Sequence, residues 1–94
     1  MNESALQRLI LKKLKQHPSV LWSYRTITGQ FGGYRMGEAG HPDITAVIND
    51  RGVLSLLFLE VKVGKGHLRY EQRRFFESME GKPKALCRVI NDLS

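Results

Sequence analysis

Between Asp43 and Lys62 the chain runs through two apolar stretches, one from Ile44 to Ile48 and a longer one from Val53 to Leu59, joined by Asn49-Asp50-Arg51-Gly52. β-Branched and large apolar residues favour strands, and the joining residues tolerate a tight bend. The segment therefore predicts an antiparallel hairpin. Its open end is charged. Asp43, following Pro42, begins one strand, and Glu60-Val61-Lys62 ends the other, with Glu60 seventeen residues after Asp43. Side chains alternate along a strand, so Glu60 and Lys62 share one face and Val61 points to the other. An acid and a lysine at the end of so apolar a strand are costly to desolvate unless they are paired or hold a metal. Two carboxylates and a lysine converging at strand ends make a site for a divalent cation and a phosphate.

The flanking sequence supplies a shell for this hairpin. Residues 3 to 16 predict an amphipathic helix: Leu6, Leu9, Ile10 and Leu14 recur at helical spacing, with Lys12, Lys13 and Lys15 off that stripe. Asn2 is the expected N-cap, and His17-Pro18 the stop. Residues 20 to 26 are rich in strand formers. From about Ile27 to His41 the chain carries Gly29, Gly32, Gly33, Gly37 and Gly40, too much glycine for a regular element. After Gly64-Lys65-Gly66, a second helix is expected from Leu68 to about Met79, with Leu68, Phe75, Phe76 and Met79 as its apolar stripe and Gly81 and Pro83 beyond its end. Gln72 falls on that stripe, where a buried amide needs partners and could meet the polar site beside Lys62. Ala85 to Ile90 predicts a last short strand. Helix, three strands, helix, strand suits a small α/β sandwich with a mixed sheet.

The 94 residues suffice for one domain with a modest core, and the formal charge of +6 favours polyanionic partners, nucleic acid before an anionic membrane. No apolar run is long enough to span a bilayer and no signal peptide is evident. Cys87 is the single cysteine, which excludes an internal disulfide and points to a reducing cytosol. It lies in an apolar stretch and reads as a small core residue. His17, His41 and His67 lack zinc-ligand spacing, the glycines match no nucleotide-binding loop, and no serine or cysteine sits in a nucleophile motif.

Phosphodiester hydrolysis needs charge neutralised on the scissile phosphate and a water made nucleophilic, and Mg²⁺ or Mn²⁺ held by carboxylates does both. Asp43 and Glu60 are hard oxygen donors suited to those ions. The Val61 carbonyl, between the two functional side chains, is a further expected ligand. Lys62 would stand near the attacking water and the phosphate. Glu3 joins the ligands if the first helix brings its N-terminus to the metal. Each residue has an ordinary alternative. Asp43 suits a turn after proline, Glu60 and Lys62 suit a cross-strand pair, Glu3 suits a helix dipole, and Gln72 suits a cap on a backbone group.

At Gly40-His41-Pro42-Asp43, Glu60-Val61-Lys62, Gly66 and Gln72 the chain resembles the VRR-NUC family of the PD-(D/E)xK nuclease superfamily. The resemblance covers almost the whole chain, residues 1–94, as one nuclease domain of the stand-alone phage or bacterial kind. It implies a restriction-endonuclease-like core of order αβββαβ, with a small mixed sheet flanked by helices. It implies that Asp43 and Glu60 bind the metal, that Lys62 is the catalytic lysine, that Glu3 is similar to the family's acid on the first helix, and that Gln72 matches the motif's helical glutamine. The implied activity is metal-dependent cleavage of DNA, often branched, by homodimers that resolve four-way junctions. Where the family has a small hydroxyl residue and proline before the glutamine, this chain has Arg69 and Tyr70, which removes the obvious N-cap.

A resolvase holds several backbones at once, and Arg25, Arg35, Lys65, Arg69, Arg73 and Arg74 are the expected phosphate contacts. The glycine-rich loop, with Phe31, Tyr34 and Arg35, either moves or wedges on binding or is merely flexible. No base-reading motif appears, so shape should matter more than sequence. Two matched cuts in a four-way junction call for a two-fold dimer. A flap or duplex nuclease of the same chemistry and a non-catalytic DNA-binding module are the competing readings.

Overall fold

The computed structural model describes residues 2–26, 29–31, 34–36 and 40–91, with side chains at 2–26 and 40–91. Helix α1 spans Glu3–Gln16. Strands β1 (Val20–Arg25), β2 (Gly29–Phe31), β3 (Tyr34–Met36), β4 (Ile44–Asp50) and β5 (Val53–Lys62) follow, then α2 (Tyr70–Met79) and β6 (Ala85–Asn91). The main sheet has four strands in the order β1-β4-β5-β6. β1–β4 and β4–β5 are antiparallel, whereas β5–β6 is parallel. A parallel neighbour requires a crossover, and α2 supplies it. The result is a small α/β domain with a mixed sheet and two helices, as expected. Among the described residues no helix is long and apolar enough to cross a membrane.

α1 begins where Asn2 Oδ1 accepts the Ala5 amide at 2.8 Å, which satisfies a donor the first turn leaves unpaired. It ends at His17, whose following proline forbids another turn. Its inward face meets one side of the sheet. Leu6, Ile44, Leu59 and Val61 form the buried cluster there, with Ile10, Leu11, Leu14, Leu57, Val63 and Ile90 packed around it. Leu9, expected on the buried stripe, is 40% exposed, and Leu11 takes its place because the contact stripe is rotated by part of a turn. The opposite sheet face carries Thr45, Phe58, Glu60 and Lys62. α2 covers part of it, with Phe75 edge-on to Phe58 at 5.0 Å between ring centres.

The β4–β5 turn has only Arg51 and Gly52 between the paired residues Asp50 and Val53, both with positive φ (53° and 87°). That matches the twist of a two-residue hairpin turn. Asn49 Oδ1 accepts the Gly52 amide at 2.9 Å and braces it. The turn fixes the register of the whole ladder, down to Ile44 opposite Leu59.

Two expectations about irregular regions change. The glycine-rich stretch contains a short antiparallel pair, Gly29–Phe31 with Tyr34–Met36, as a separate two-stranded sheet. Glycine weakens a strand but does not forbid a three-residue one. α2 starts at Tyr70, two residues after the expected Leu68, with Arg69 as N-cap. Cys87 is half-buried on β6, and burial raises its thiol pKa above the ordinary value.

Gly40 (φ +87°) packs on the first turn of α2 so closely that a Cβ would lie 2.5 Å from the Glu71 carbonyl oxygen. Gly81 (φ +78°) has nothing within 4 Å of the same position. Both alanine variants carry the left-handed backbone cost of about 1–2 kcal/mol. Gly40→Ala should lose at least about 1 kcal/mol more, because the added methyl must displace backbone. Urea unfolding of the two variants measures the difference, and equal losses would mean that this contact is not tight.

Candidate functional site

The hairpin register decides the geometry of the site. Ile44 pairs with Leu59, so the next residues outward, Asp43 and Glu60, stand opposite each other just beyond the end of the ladder. Asp43 is half-buried and held in place, its Oδ2 accepting the Val61 amide at 2.7 Å. A residue's N–H and C=O leave the same edge of an extended strand, so the Val61 carbonyl is also directed to the Asp43 side. The Val61 side chain is fully buried in the α1 cluster, which anchors the strand between the two functional side chains.

Glu60 is 0% exposed, and neither of its carboxyl oxygens receives a hydrogen bond. Its pKa is pushed up to about 8, first by burial, then by the hydrogen-bonding proximity and negative charge of Asp43. Lys62 pulls the value down and Glu3 pushes it up. The first turn of α1 therefore lies close enough for Glu3 to be felt at the site. Lys62 itself is buried, with Gly66 against its stem: a Cβ on Gly66 would lie 3.5 Å from Lys62 Cβ and Cδ.

A second set of contacts fixes the loop before Asp43. His41 Nδ1 lies 3.1 Å from Thr26 Oγ1 and 3.2 Å from the Pro42 carbonyl oxygen. Its ring stands 6.0 Å from that of Phe75 on α2. The Thr26 amide donates to the Asp43 carbonyl at 2.8 Å. β1, the Gly-His-Pro loop and α2 thus meet around the base of Asp43. Sequence inspection did not single out His41 and Thr26 for this role. Placement of a histidine between Gly40 and Pro42 was the available signal, but its partner on another strand was not.

Of the two readings of Gln72, a partner of the polar site and a cap on a backbone group, the structure shows the cap. Gln72 is half-buried at the third position of α2, and its Oε1 accepts the Arg69 amide at 2.8 Å. This bond provides the helix start that Arg69 and Tyr70 seemed to deny it. Among the expected phosphate contacts, Arg25, Lys65, Arg69, Arg73 and Arg74 are all exposed. Arg74 Nη1 donates to the Tyr70 hydroxyl at 3.2 Å and its guanidinium lies over that ring. The side chains of Arg35, Phe31 and Tyr34 lie outside the described residues.

The donor set suits a hard divalent ion. Two close carboxylates, one with both oxygens buried and unserved, need positive charge between them. Among the described residues no group of three or more His, Cys, Asp and Glu side chains is arranged to hold a metal ion. Asp43 and Glu60 offer two carboxylate ligands, and an ion held by them would need its other ligands from backbone oxygen and water. Comparison with family models, with curated proteins and with solved structures gives no match to this chain.

Glu60 makes stability depend on pH in a definite direction. Between its unfolded value of 4.5 and about 8 the folded protein keeps a proton that the unfolded chain has released, so raising the pH favours unfolding. In the presence of a chelator the melting temperature should fall across that interval, and Glu60→Gln should flatten the profile. Adding Mg²⁺ at the alkaline end should restore the wild type and not the variant, since the ion takes the proton's place. Superimposable wild-type and variant profiles would show that Glu60 carries no such proton.

Proposed function

We propose that this chain is a Mg²⁺- or Mn²⁺-dependent, structure-selective DNA endonuclease of the VRR-NUC kind, with a PD-(D/E)xK core, resolving four-way junctions as a homodimer in the cytosol. The carrying observation is the pair of facing acids: Glu60, fully buried with both carboxyl oxygens unserved, directly across from Asp43. The mixed four-stranded sheet, with a helix crossing over to its parallel strand, supports the reading. So does the charge of +6.

The bound cation would neutralise the phosphate and acidify a coordinated water. The chain's own residues do the rest. Asp43, oriented by the Val61 amide, and Glu60, fixed by burial, set where the ion can sit. Glu3 adds negative charge at the rim of the site. Lys62, two residues beyond Glu60 on the same face, orients the attacking water and stabilises charge on the phosphate. As the water oxygen bonds to phosphorus, the bond to the leaving oxygen breaks. The water's proton departs to solvent, and the leaving oxygen takes one up. Gln72 acts at one remove, holding the first turn of α2 on which Gly40 rests.

Labelled four-way junction, flap and linear duplex, incubated with protein and Mg²⁺ at equal salt, test the assignment. Symmetric nicks near the crossover are expected on the junction, and preference for the flap would remove the resolvase label. Asp43→Ala and Lys62→Ala should each lower cleavage by at least about 10²-fold while leaving junction binding largely intact. Undiminished turnover in either variant would overturn the mechanism.

A further inference from the structure

The sheet face that carries Glu60 is only partly covered by α2. β1 pairs Trp22 with Val47 and Tyr24 with Thr45, and β4 pairs these with Leu56 and Phe58, so all six share the face of Glu60. At Phe58 the face is covered, with Phe75 packed on it. Towards β1 and the hairpin turn it is open: Trp22 is 68% exposed, Tyr24 45%, and Leu54 and Leu56 of β5 58% and 40%. Trp22 is the chain's single tryptophan. So large an apolar surface is ordinarily buried, and its exposure next to a second ring and two leucines marks a contact surface.

We infer that Trp22 and Tyr24 form a stacking platform for unpaired bases of a single-stranded nucleic acid lying along β1 and leading to the Asp43–Glu60 site. Two residues apart on a strand, the rings are spaced by about 6.5 Å, which suits neighbouring bases of an extended strand. The row continues to Thr26, whose amide is bonded to Asp43, so a strand on the platform is led to the carboxylates. Charge along β1 favours a polyanion. Lys15 reaches the outer edge of β1, its Nζ donating to the Ser23 carbonyl at 3.0 Å, and Arg25, exposed on the same strand, points to the α1 side, so both cations reach the platform only around this edge. Lys15 also borders a shallow cavity of about 170 Å³ with Val20, Leu21, Trp22 and Ser23, a place for a phosphate next to the first base. β1 contains no acid, and Asp50, at the far end of the hairpin, is paired with Arg51 at 3.4 Å. A second copy pressed face to face would bring the same cations together on two chains of charge +6 each. The delivery of a strand to the carboxylates rests on the nuclease reading above; base stacking does not.

The test uses the tryptophan as its own reporter. Wild-type protein in chelator is titrated with short oligothymidylate, oligouridylate and duplex DNA while Trp22 emission is followed. Saturable quenching by a single strand and none by duplex is expected, and the better of the two oligomers identifies the sugar. In anisotropy with labelled oligomer, Trp22→Ala and Tyr24→Ala should each weaken binding about tenfold. Absence of quenching overturns the platform. So does sedimentation of the free protein as a dimer that Trp22→Ala dissociates, which would assign the face to a second copy. Junction cleavage assayed in parallel separates the two readings. Quenching without cleavage sinks the nuclease and leaves the platform, and cleavage without quenching does the reverse.

Discussion

Two carboxyl groups that cannot both be comfortable as anions stand at the centre of this molecule. Glu60 is withdrawn from water and faces Asp43 across the end of a strand pair, and its proton affinity rises accordingly. Burying like charges is among the more expensive arrangements a small domain can adopt. The surrounding structure keeps it in place. The Val61 amide is committed to Asp43, the Val61 side chain to the α1 core, and the preceding loop to α2 through Gly40. A domain of this size has little stability in reserve.

The supports come from every layer. α1 packs on one sheet face and contributes the negative field of Glu3 at its first turn. α2 closes half of the other face and steadies His41 through Phe75. Beyond Lys62, Asn91 Nδ2 donates to the Gly64 carbonyl at 3.1 Å and ties the end of β6 to the turn that follows the lysine. The site is thus built on strand ends and helix starts, the parts of regular elements whose positions are most strictly set.

Much of this was legible in the sequence because local chemistry dictated it. The first helix runs over residues 3 to 16 as its caps foretold, and the hairpin closes where Asn49 to Gly52 permit positive φ. The facing acids follow from that register alone. What was not legible depended on tertiary context. The strand pair inside the glycine-rich stretch is too short to leave a periodic signal. Gln72 left two readings open because helical spacing cannot tell a core amide from a cap at the third position. The apolar run of β5 gave no sign of which residues lie open, and Val53, Leu54 and Leu56 are exposed. A helix of 10 residues, about 15 Å long, cannot cover a four-stranded sheet. Nothing in one strand's sequence says which half is left bare.

The tight turn at Arg51 and Gly52 has a bearing on how the chain can vary. It lies eight residues along each strand from the acids, roughly 25 Å away by strand rise, and touches nothing in the site. One amino acid added there would slide β5 past β4, and Glu60 could no longer sit opposite Asp43 with its core-facing neighbours still inward. Descendants of this chain are thus free to change the chemistry of that bend, but its length works as a measuring rod for a centre it never meets.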